Sequence, residues 1–199
     1  MVARKIVKWP NTSLLKSAIP IEKFDMTVVD LASDLCDTMK VHHGAGMASS
    51  QIGESAAGCV LDVSYVPSLP ADPNITSVIF FGNPSIEPLS GKDYQWKEAC
   101  LSVDGIVAKV KRYSKIRLHY RNTLGEPLEA VLEGSEAASV QHEVDHLLGK
   151  LFIHRLEGIT KSIVTRKLRK ISLKQRAVQK AENSRNSYKK KRNQKKRRK

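Results

Sequence analysis

The sequence has 199 residues and a formal net charge of +14, and its length allows one domain with a sizeable core but not two ordinary domains. No apolar run approaches the roughly 18 residues that a membrane-spanning helix needs, so the composition excludes an integral membrane protein and indicates a soluble one. Three cysteines, an odd number in a chain of this size, argue against a disulfide framework and favour a reducing compartment.

The N-terminal part of the chain combines a basic segment with a predicted helix. Residues 1–21 contain no acidic side chain, which weakly resembles an organelle transit peptide, but proline and turn residues interrupt any amphipathic stripe there. We therefore favour the cytoplasm without excluding an organelle. Asp25 is a suitable N-cap for the helix, and apolar residues recur at helical spacing until Gly44: Val28, Leu31, Leu35 and Met39.

A glycine-rich segment and several short strands follow this helix. The segment GAGMASSQIG, residues 44–53, is too rich in glycine for a helix interior and too apolar for a surface linker, so its backbone should adopt unusual torsions. Short apolar runs broken by turn residues then predict antiparallel strands: GCVLDVSY, SVIFFGNPSI and GIVAKVKRYSKIRLHY. Cys36 falls in the first helix and Cys59 opens the first strand, so both are interpreted as buried thiols.

A second helix is predicted to begin after Ser135, to end at Gly149 and to carry the sequence QHEVDHLLGK. His142 and His146 are four residues apart, so both can present a ring nitrogen to one ion, and Glu143 lies beside them. This HExxH pattern indicates a metal site. The alternative is a pair of surface histidines near the end of a helix.

A catalytic metal site also needs a third protein ligand and an open coordination position. Downstream, the next acidic residue is Glu157, and a basic segment follows it. Upstream, Cys100 stands in KEACLSVDG, just before a predicted strand. As a thiolate, Cys100 would complete a site with His142 and His146 that suits iron or zinc.

Three segments of the chain resemble the ordered motifs of the peptide deformylases: GAGMASSQIG, EACLS and QHEVDH correspond to GxGxAxxQxG, EGCLS and QHExDH. The similarity runs from about Ile6 to about Leu173. One departure is Ala99, which replaces the usual glycine and can narrow the cleft or change substrate preference. The resemblance implies an α+β fold, with short antiparallel β-sheets around a central metal-binding HExxH helix, and then a C-terminal helix and a basic tail.

The resemblance also implies a reaction, the hydrolysis of the N-formyl group from the initiator N-formylmethionine of nascent polypeptides, with release of formate. Cys100, His142 and His146 would hold one divalent ion per chain, typically Fe²⁺, with Zn²⁺ or Ni²⁺ as alternatives. Glu143 would transfer a proton from the attacking water to the leaving amine.

Further roles follow from the same resemblance. The side-chain amide of Gln51 and the backbone N–H of Leu101 would stabilise the oxyanion of the tetrahedral intermediate. Ala45 and Gly46 would lie along the extended substrate and pair with it like an edge strand, and Ala99 would also contact it.

Two other groups of residues near the motifs are interpreted as structural. The resemblance pairs Asp145 with Arg112 in an ion pair. His42 and His43 precede the glycine-rich segment and are interpreted as residues at the end of the first helix.

The positive charge is concentrated in the last forty residues. Residues 160–199 hold 18 Lys and Arg and one acidic residue, whereas the rest of the chain is nearly neutral. We predict a catalytic domain over residues 1–158, an amphipathic basic helix over 159–180 and a disordered Lys/Arg-rich tail over 181–199. The helix is predicted from apolar residues at roughly helical spacing: Ile159, Ile163, Val164, Leu168 and Ile171.

The basic segment suggests ribosomal RNA as a partner, while a solvated charged run that aids solubility is the alternative. We expect a monomer.

Two other functions remain open at this point: a zinc metallopeptidase, which is the usual meaning of HExxH, and a non-enzymatic RNA-binding protein with a structural metal. The first lacks a good downstream ligand, and the second would need a fourth ligand.

Overall fold

The computed structural model describes residues 3–173 together with Ala177, Lys180 and Arg185. The chain divides into two compact units, Met1–Leu156 and Glu157–Lys199. Within the described part, no helix is long and apolar enough to cross a membrane. Apart from Arg185, the tail predicted over 181–199 lies outside the described residues, and the division into a catalytic domain, a basic helix and a tail stays a prediction.

The first unit combines helices with two antiparallel sheets, as the α+β prediction requires. Its helices and strands in chain order are α1 (Met26–Val41), β1 (Gly46–Ala48), β2 (Gly58–Asp62), β3 (Val78–Pro88), β4 (Tyr94–Cys100), β5 (Val103–Arg112), β6 (Lys115–Arg121), β7 (Pro127–Glu133) and α2 (Gly134–Leu147). Four short 3-10 helices accompany them: η1 (Thr12–Leu15), η2 (Ser49–Ile52), η3 (Val63–Tyr65) and η4 (Phe152–Arg155). Five strands form one sheet in the order β1-β2-β3-β6-β7, and β4 and β5 form a separate hairpin.

Helix α1 begins where the sequence predicts. The side chain of Asp25 accepts a hydrogen bond from the backbone N–H of Thr27 at 2.9 Å and so satisfies one of the free donors of the first turn. The helix ends at Val41, where His42 is the C-cap and His43 adopts a left-handed conformation with φ 54°. The interpretation of these two histidines as helix-end residues is confirmed.

Strand β2 and the first five residues of β3 are buried on both faces, which explains why their sequences are nearly continuously apolar. One face packs in a core cluster with α2, through Cys59, Leu61, Ile79, Phe81, Val140 and Val144. The other face packs in a cluster with α1, through Val60, Val78, Phe80, Leu35 and Met39. Helix α2 is therefore held in the interior against the sheet, and the two cysteines Cys36 and Cys59 are buried thiols as predicted.

Some predicted elements differ from the structure. The long run GIVAKVKRYSKIRLHY contains two strands of different sheets, because β5 pairs with β4, whereas β6 pairs with β3 and β7. The predicted start of α2 after Ser135 is wrong, since β7 runs directly into the helix and Glu133 is both the last strand residue and the N-cap. Residues 63–65 form η3 instead of continuing β2.

The second unit contains a helical segment over residues 158–173. Val164 and Leu168 are buried, but Ile159 and Ile163 are exposed, so the buried stripe is narrower than the apolar pattern predicted. Five of the exposed side chains of this segment are basic: Lys161, Arg166, Lys167, Arg169 and Lys170.

Candidate active site

Two elements, helix α2 and strand β4, bring three metal-binding side chains together. Helix α2 carries His142 and His146 four residues apart, and Cys100 ends β4 at a point where its register with β5 shifts. The ligand atoms of these three residues all lie within 4.8 Å of one another, and the sulfur of Cys100 is 3.3 Å from Nε2 of His146. The two imidazoles and the thiol are thus close enough to bind one metal ion.

A buried ionic network holds the helix in place. Arg112 donates two hydrogen bonds to the carboxylate of Glu98 at 2.7 and 2.9 Å, and one to Asp145 at 2.6 Å. Glu98 in turn lies 2.7 Å from Nδ1 of His142, while Arg155 donates hydrogen bonds to both carboxylate oxygens of Asp145. The implied ion pair between Arg112 and Asp145 is confirmed. Because Glu98 engages Nδ1 of His142, this ring is oriented with its Nε2 free for a ligand.

The surroundings of Cys100 favour its thiolate. Burial disfavours the ionised form, but the charge of His146 and hydrogen bonds from both histidines hold the pKa of Cys100 well below its ordinary value. The thiolate is the form in which cysteine binds metal ions. By contrast, burial, with a smaller contribution from Glu143, raises the pKa of Cys59 well above its usual range, so this nearby thiol is not activated.

The carboxylate of Glu143 lies in the same cluster and lacks part of its hydrogen bonding. Glu143 is 5% exposed, and its Oε2 has no hydrogen-bond partner among the described residues. Burial raises the pKa of this carboxyl, and the charges of Cys100 and Glu98 raise it further, although the two histidines act in the opposite direction. A buried carboxylate with an unsatisfied oxygen is unusual in a protein interior, and it indicates a site that receives water or a ligand.

Gln51 is held in a single orientation beside Cys100. Its Oε1 accepts a hydrogen bond from the backbone N–H of Ala48 at 2.8 Å. Its Nε2 therefore faces the other way and lies 3.2 Å from the hydroxyl of Ser102 and 3.5 Å from the sulfur of Cys100. The donor end of a buried amide is thus directed at the cluster.

The N-terminal segment ties Gln51 to the loop that follows β4. The backbone N–H of Val7 donates to the carbonyl of Gln51 at 2.8 Å. The ammonium group of Lys8 binds the carbonyl of Leu101 at 2.6 Å and the carboxylate of Asp104 at 2.7 Å. These contacts join two segments that are far apart in sequence and stabilise their relative position.

A cleft of about 450 Å³ opens onto this cluster. Eight of the nine predicted site residues line it: Ala45, Gly46, Gln51, Ala99, Cys100, Leu101, His142 and Glu143. The ninth, His146, is buried behind them at 1% exposure. The cleft lies between β1, at the edge of the five-stranded sheet, and β4, which has one unpaired edge in its hairpin. The structure therefore brings all nine residues together, while their individual roles stay predictions.

Gly46 gives the carboxylate of Glu143 the space that it occupies. A Cβ atom at this position would lie 2.5 Å from Oε1 of Glu143 and 2.6 Å from a methyl carbon of Leu61. We therefore expect Gly46→Ala to displace the carboxylate and to lower kcat/KM about 100-fold, since a shift of about 1 Å can cost this much. Gly91→Ala is the matched control, because nothing lies within 4 Å of its added methyl. Equal activity of both variants in a formate-release assay would contradict this reading.

Sequence reasoning missed three contributors to the site. Glu98 stands two residues before Cys100, and this spacing on a strand could have identified it as a partner. Lys8 and Arg155 carry no local signal, because each reaches the site through contacts that only the folded chain creates.

These residues fit a bound metal ion. A thiolate and two imidazoles are a ligand set found in catalytic metal sites with an open position. The unsatisfied oxygen of Glu143 and the contact of His142 with Glu98 add the surroundings such a site requires. A single divalent ion can thus be held by Cys100, His142 and His146.

Comparison with known proteins identifies the family. The sequence profile described as Polypeptide deformylase matches residues 3–162. The peptide deformylase of Aquifex aeolicus is 38% identical over 170 residues, which cover 85% of this chain and 97% of that protein.

Solved structures agree with the sequence comparison. A peptide deformylase from Legionella pneumophila superposes with a TM-score of 0.73 and 35% identity, covering 87% of this chain and 98% of the other. A class I type b peptide deformylase from Acinetobacter baumannii, bound to Met-Ala-Ser, gives a TM-score of 0.69 and 28% identity, with coverage of 78% and 99%. On the strength of the cleft, its metal-binding cluster and these likenesses, the chain belongs to the polypeptide deformylase family, whose members hydrolyse the N-formyl amide of peptides.

Proposed function

We propose that the cleft removes the formyl group from N-formylmethionyl peptides by means of Cys100, His142, His146 and Glu143. One observation carries this proposal: the three ligand atoms lie within 4.8 Å of one another, beside a buried carboxylate oxygen that has no partner in the described part of the chain. Cys100, His142 and Glu143 line the base of a cleft of about 450 Å³, and His146 lies directly behind them.

Cys100, His142 and His146 would hold the divalent ion, and Fe²⁺ is the ion that we propose, with Zn²⁺ or Ni²⁺ as alternatives. A thiolate with two imidazoles suits all three metals, and the lowered pKa of Cys100 supports the ionised ligand. When bound, the ion would act as a Lewis acid and lower the pKa of water at the site.

Glu143 would transfer the proton. Its carboxylate accepts a proton from the water that attacks the formyl carbon and delivers it to the nitrogen of the leaving amine. The C–N bond of the formamide breaks, and formate and a free amino terminus result. The raised pKa of Glu143 supports this role, because a group that acts first as base and then as acid must take up the proton and release it again.

Gln51 and Leu101 would stabilise the oxyanion. The Nε2 donor of Gln51 is already directed at the cluster, and the position of the Leu101 loop is supported by the bond from Lys8. Donors that are fixed in advance contribute a few kcal/mol each to such a transition state.

The substrate would lie along the free edge of β1. Ala45 and Gly46 line the cleft on that side and Ala99 on the other, so the backbone of an extended peptide can pair with the edge strand. The Acinetobacter relative was solved with Met-Ala-Ser bound. A peptide beginning with methionine is therefore a reasonable occupant of this cleft.

The test is formate release from formyl-Met-Ala by anaerobically purified protein, beside Cys100→Ser and with metal content measured for both. Anaerobic handling matters because ferrous iron and its thiolate ligand are readily oxidised. Release by the unmodified protein and loss of both metal and activity in the variant would support the proposal. Stoichiometric metal without formate release would instead favour a metallopeptidase, which is the rival suggested by HExxH alone.

We also propose that the basic C-terminal segment docks on ribosomal RNA in the cytoplasm, where a monomeric enzyme would meet nascent chains. Residues 160–199 carry 18 basic side chains and one acidic one, and five basic residues of the helical segment are exposed. Such a segment binds phosphates without sequence preference, and its affinity falls steeply with salt.

Deleting the residues after Lys180 should weaken co-sedimentation with ribosomes, and the difference should shrink as salt is raised. The full chain and the shortened one would be compared at equal concentration, with formate release as the control for intact folding. Equal co-sedimentation of the two at low salt would count against a role for the tail. Strong RNA binding by the shortened chain without formate release would favour the non-enzymatic alternative.

A further inference from the structure

The outer wall of the cleft carries a lysine that no acidic group in the described part of the chain neutralises. Four side chains with a formal charge line the cleft: Lys97, Glu98, Asp104 and Glu143. Lys97 is exposed, and among the described residues it forms no ion pair. It is the one Lys or Arg among the described residues that line this cleft.

Two of the three acidic residues already have cationic or histidine partners, and the third is buried. Glu98 is bound by Arg112 and His142, and Asp104 pairs with Lys8 at 2.7 Å. Glu143 is buried at the base of the cleft and belongs to the reaction proposed above.

The neighbouring strand adds to the positive charge. On β5, Lys109 stands directly opposite Lys97, and Val107 stands opposite Ala99 on the same outward face. Two lysines side by side repel one another and gain by the approach of an anionic group. The wall near Lys97 thus offers an unmatched site for a negative charge.

Distance along the strand indicates which part of a peptide would meet this charge. Lys97 precedes the metal-binding Cys100 by three residues, which is roughly 10 Å along a β-strand. An extended peptide with its formyl group at the metal cluster also advances by roughly 3.3 Å per residue. Its second or third residue would therefore come within reach of the long lysine side chain.

We propose that Lys97 is a specificity-determining residue that favours an acidic side chain at the second or third position of the formylated peptide. This inference rests on the proposed function, since it concerns the substrate of the same cleft. The contact is exposed to solvent, so a preference of about three- to tenfold in kcat/KM for Glu over Lys is expected. Salt at about 0.5 M should bring this ratio towards one.

The experiment measures kcat/KM for amidated peptides of the form formyl-Met-Ala-X and formyl-Met-X-Ala, with X as Glu, Gln or Lys. Amidation removes the terminal carboxylate, which would otherwise bind the same lysine. Lys97→Met keeps the apolar stem but removes the charge, and should abolish the preference, whereas Lys97→Glu should reverse it. Lys16→Glu is the control for net charge, because Lys16 is exposed and does not line the cleft.

The possible results distinguish a failure of the role proposed for Lys97 from a failure of the proposed deformylase reaction. Formate release with equal rates for Glu and Lys peptides, or a preference that survives in Lys97→Met, would overturn the role of Lys97 and leave the deformylase reaction intact. A preference that Lys16→Glu alters as much as Lys97→Glu does would assign the effect to net charge and also overturn it. Absence of release from every peptide would overturn the residue roles proposed above, and this preference with them.

Discussion

Replacing Glu143 by glutamine should lower the rate of formate release about 10²- to 10⁴-fold, the range of a positioned general base and acid. The amide keeps the size of the side chain but cannot accept the proton of the attacking water. We expect the fold to be retained, because the carboxylate is buried with an unsatisfied oxygen and its pKa is raised, so its ionised form gains little from the protein. Activity and thermal unfolding would be measured on the same preparations.

Metal content decides how this result is read. A variant that loses its ion would also lose activity, so the ion must be quantified in the unmodified protein and in Glu143→Gln. Glu136→Gln is the matched control: it lies on the same helix, its carboxylate contacts Ser68, and it does not line the cleft. Full metal loading with more than a tenth of the original activity in Glu143→Gln would show that another group moves the proton.

Replacing Arg112 by methionine should reduce the free energy of unfolding by about 3–5 kcal/mol. The change leaves the carboxylates of Glu98 and Asp145 buried, at 4% and 3% exposure, without their shared cation. Arg155 still binds Asp145 and His142 still lies beside Glu98, but the loss of a buried cation between two carboxylates is far more costly than the loss of an exposed ion pair. Denaturant unfolding followed by circular dichroism would measure the difference.

Arg117→Met provides the comparison on the surface. Arg117 also binds two carboxylates, those of Glu87 and Glu129, but all three groups are partly exposed, so a cost of at most about 1 kcal/mol is expected. A second effect should separate the two variants: without Arg112, Glu98 no longer holds His142 firmly, and metal affinity should fall about 10- to 100-fold. Similar unfolding free energies for both variants would contradict the account of the buried network.

The metal-binding cluster could be predicted because its signals are local or shared with a family. The spacing of His142 and His146 indicates a common helix face from sequence alone, and the motif around Cys100 adds the third ligand by resemblance. The start of α1 was predictable for the same reason, since Asp25 and the apolar spacing both act within a few residues.

The rest depends on pairing between distant parts of the chain. Only Tyr113 and Ser114 separate β5 from β6, yet the two strands belong to different sheets, because their partners lie elsewhere in the sequence. Strand β7 escaped prediction since its alternate residues face outward and several of them are acidic, which weakens the apolar signal. The tether from Lys8 crosses more than ninety residues of sequence and leaves no local trace.

The two free strand edges that flank the cleft bear on the behaviour of the protein in concentrated solution. An exposed edge presents unpaired N–H and C=O groups to any extended chain, including a strand of a neighbouring copy. Strand β1 is only three residues long, and β4 carries Lys97 on its outward face beside Lys109. Short and charged edges resist strand-to-strand aggregation. The features of the two edges that flank the cleft therefore also disfavour pairing with a strand of a second copy.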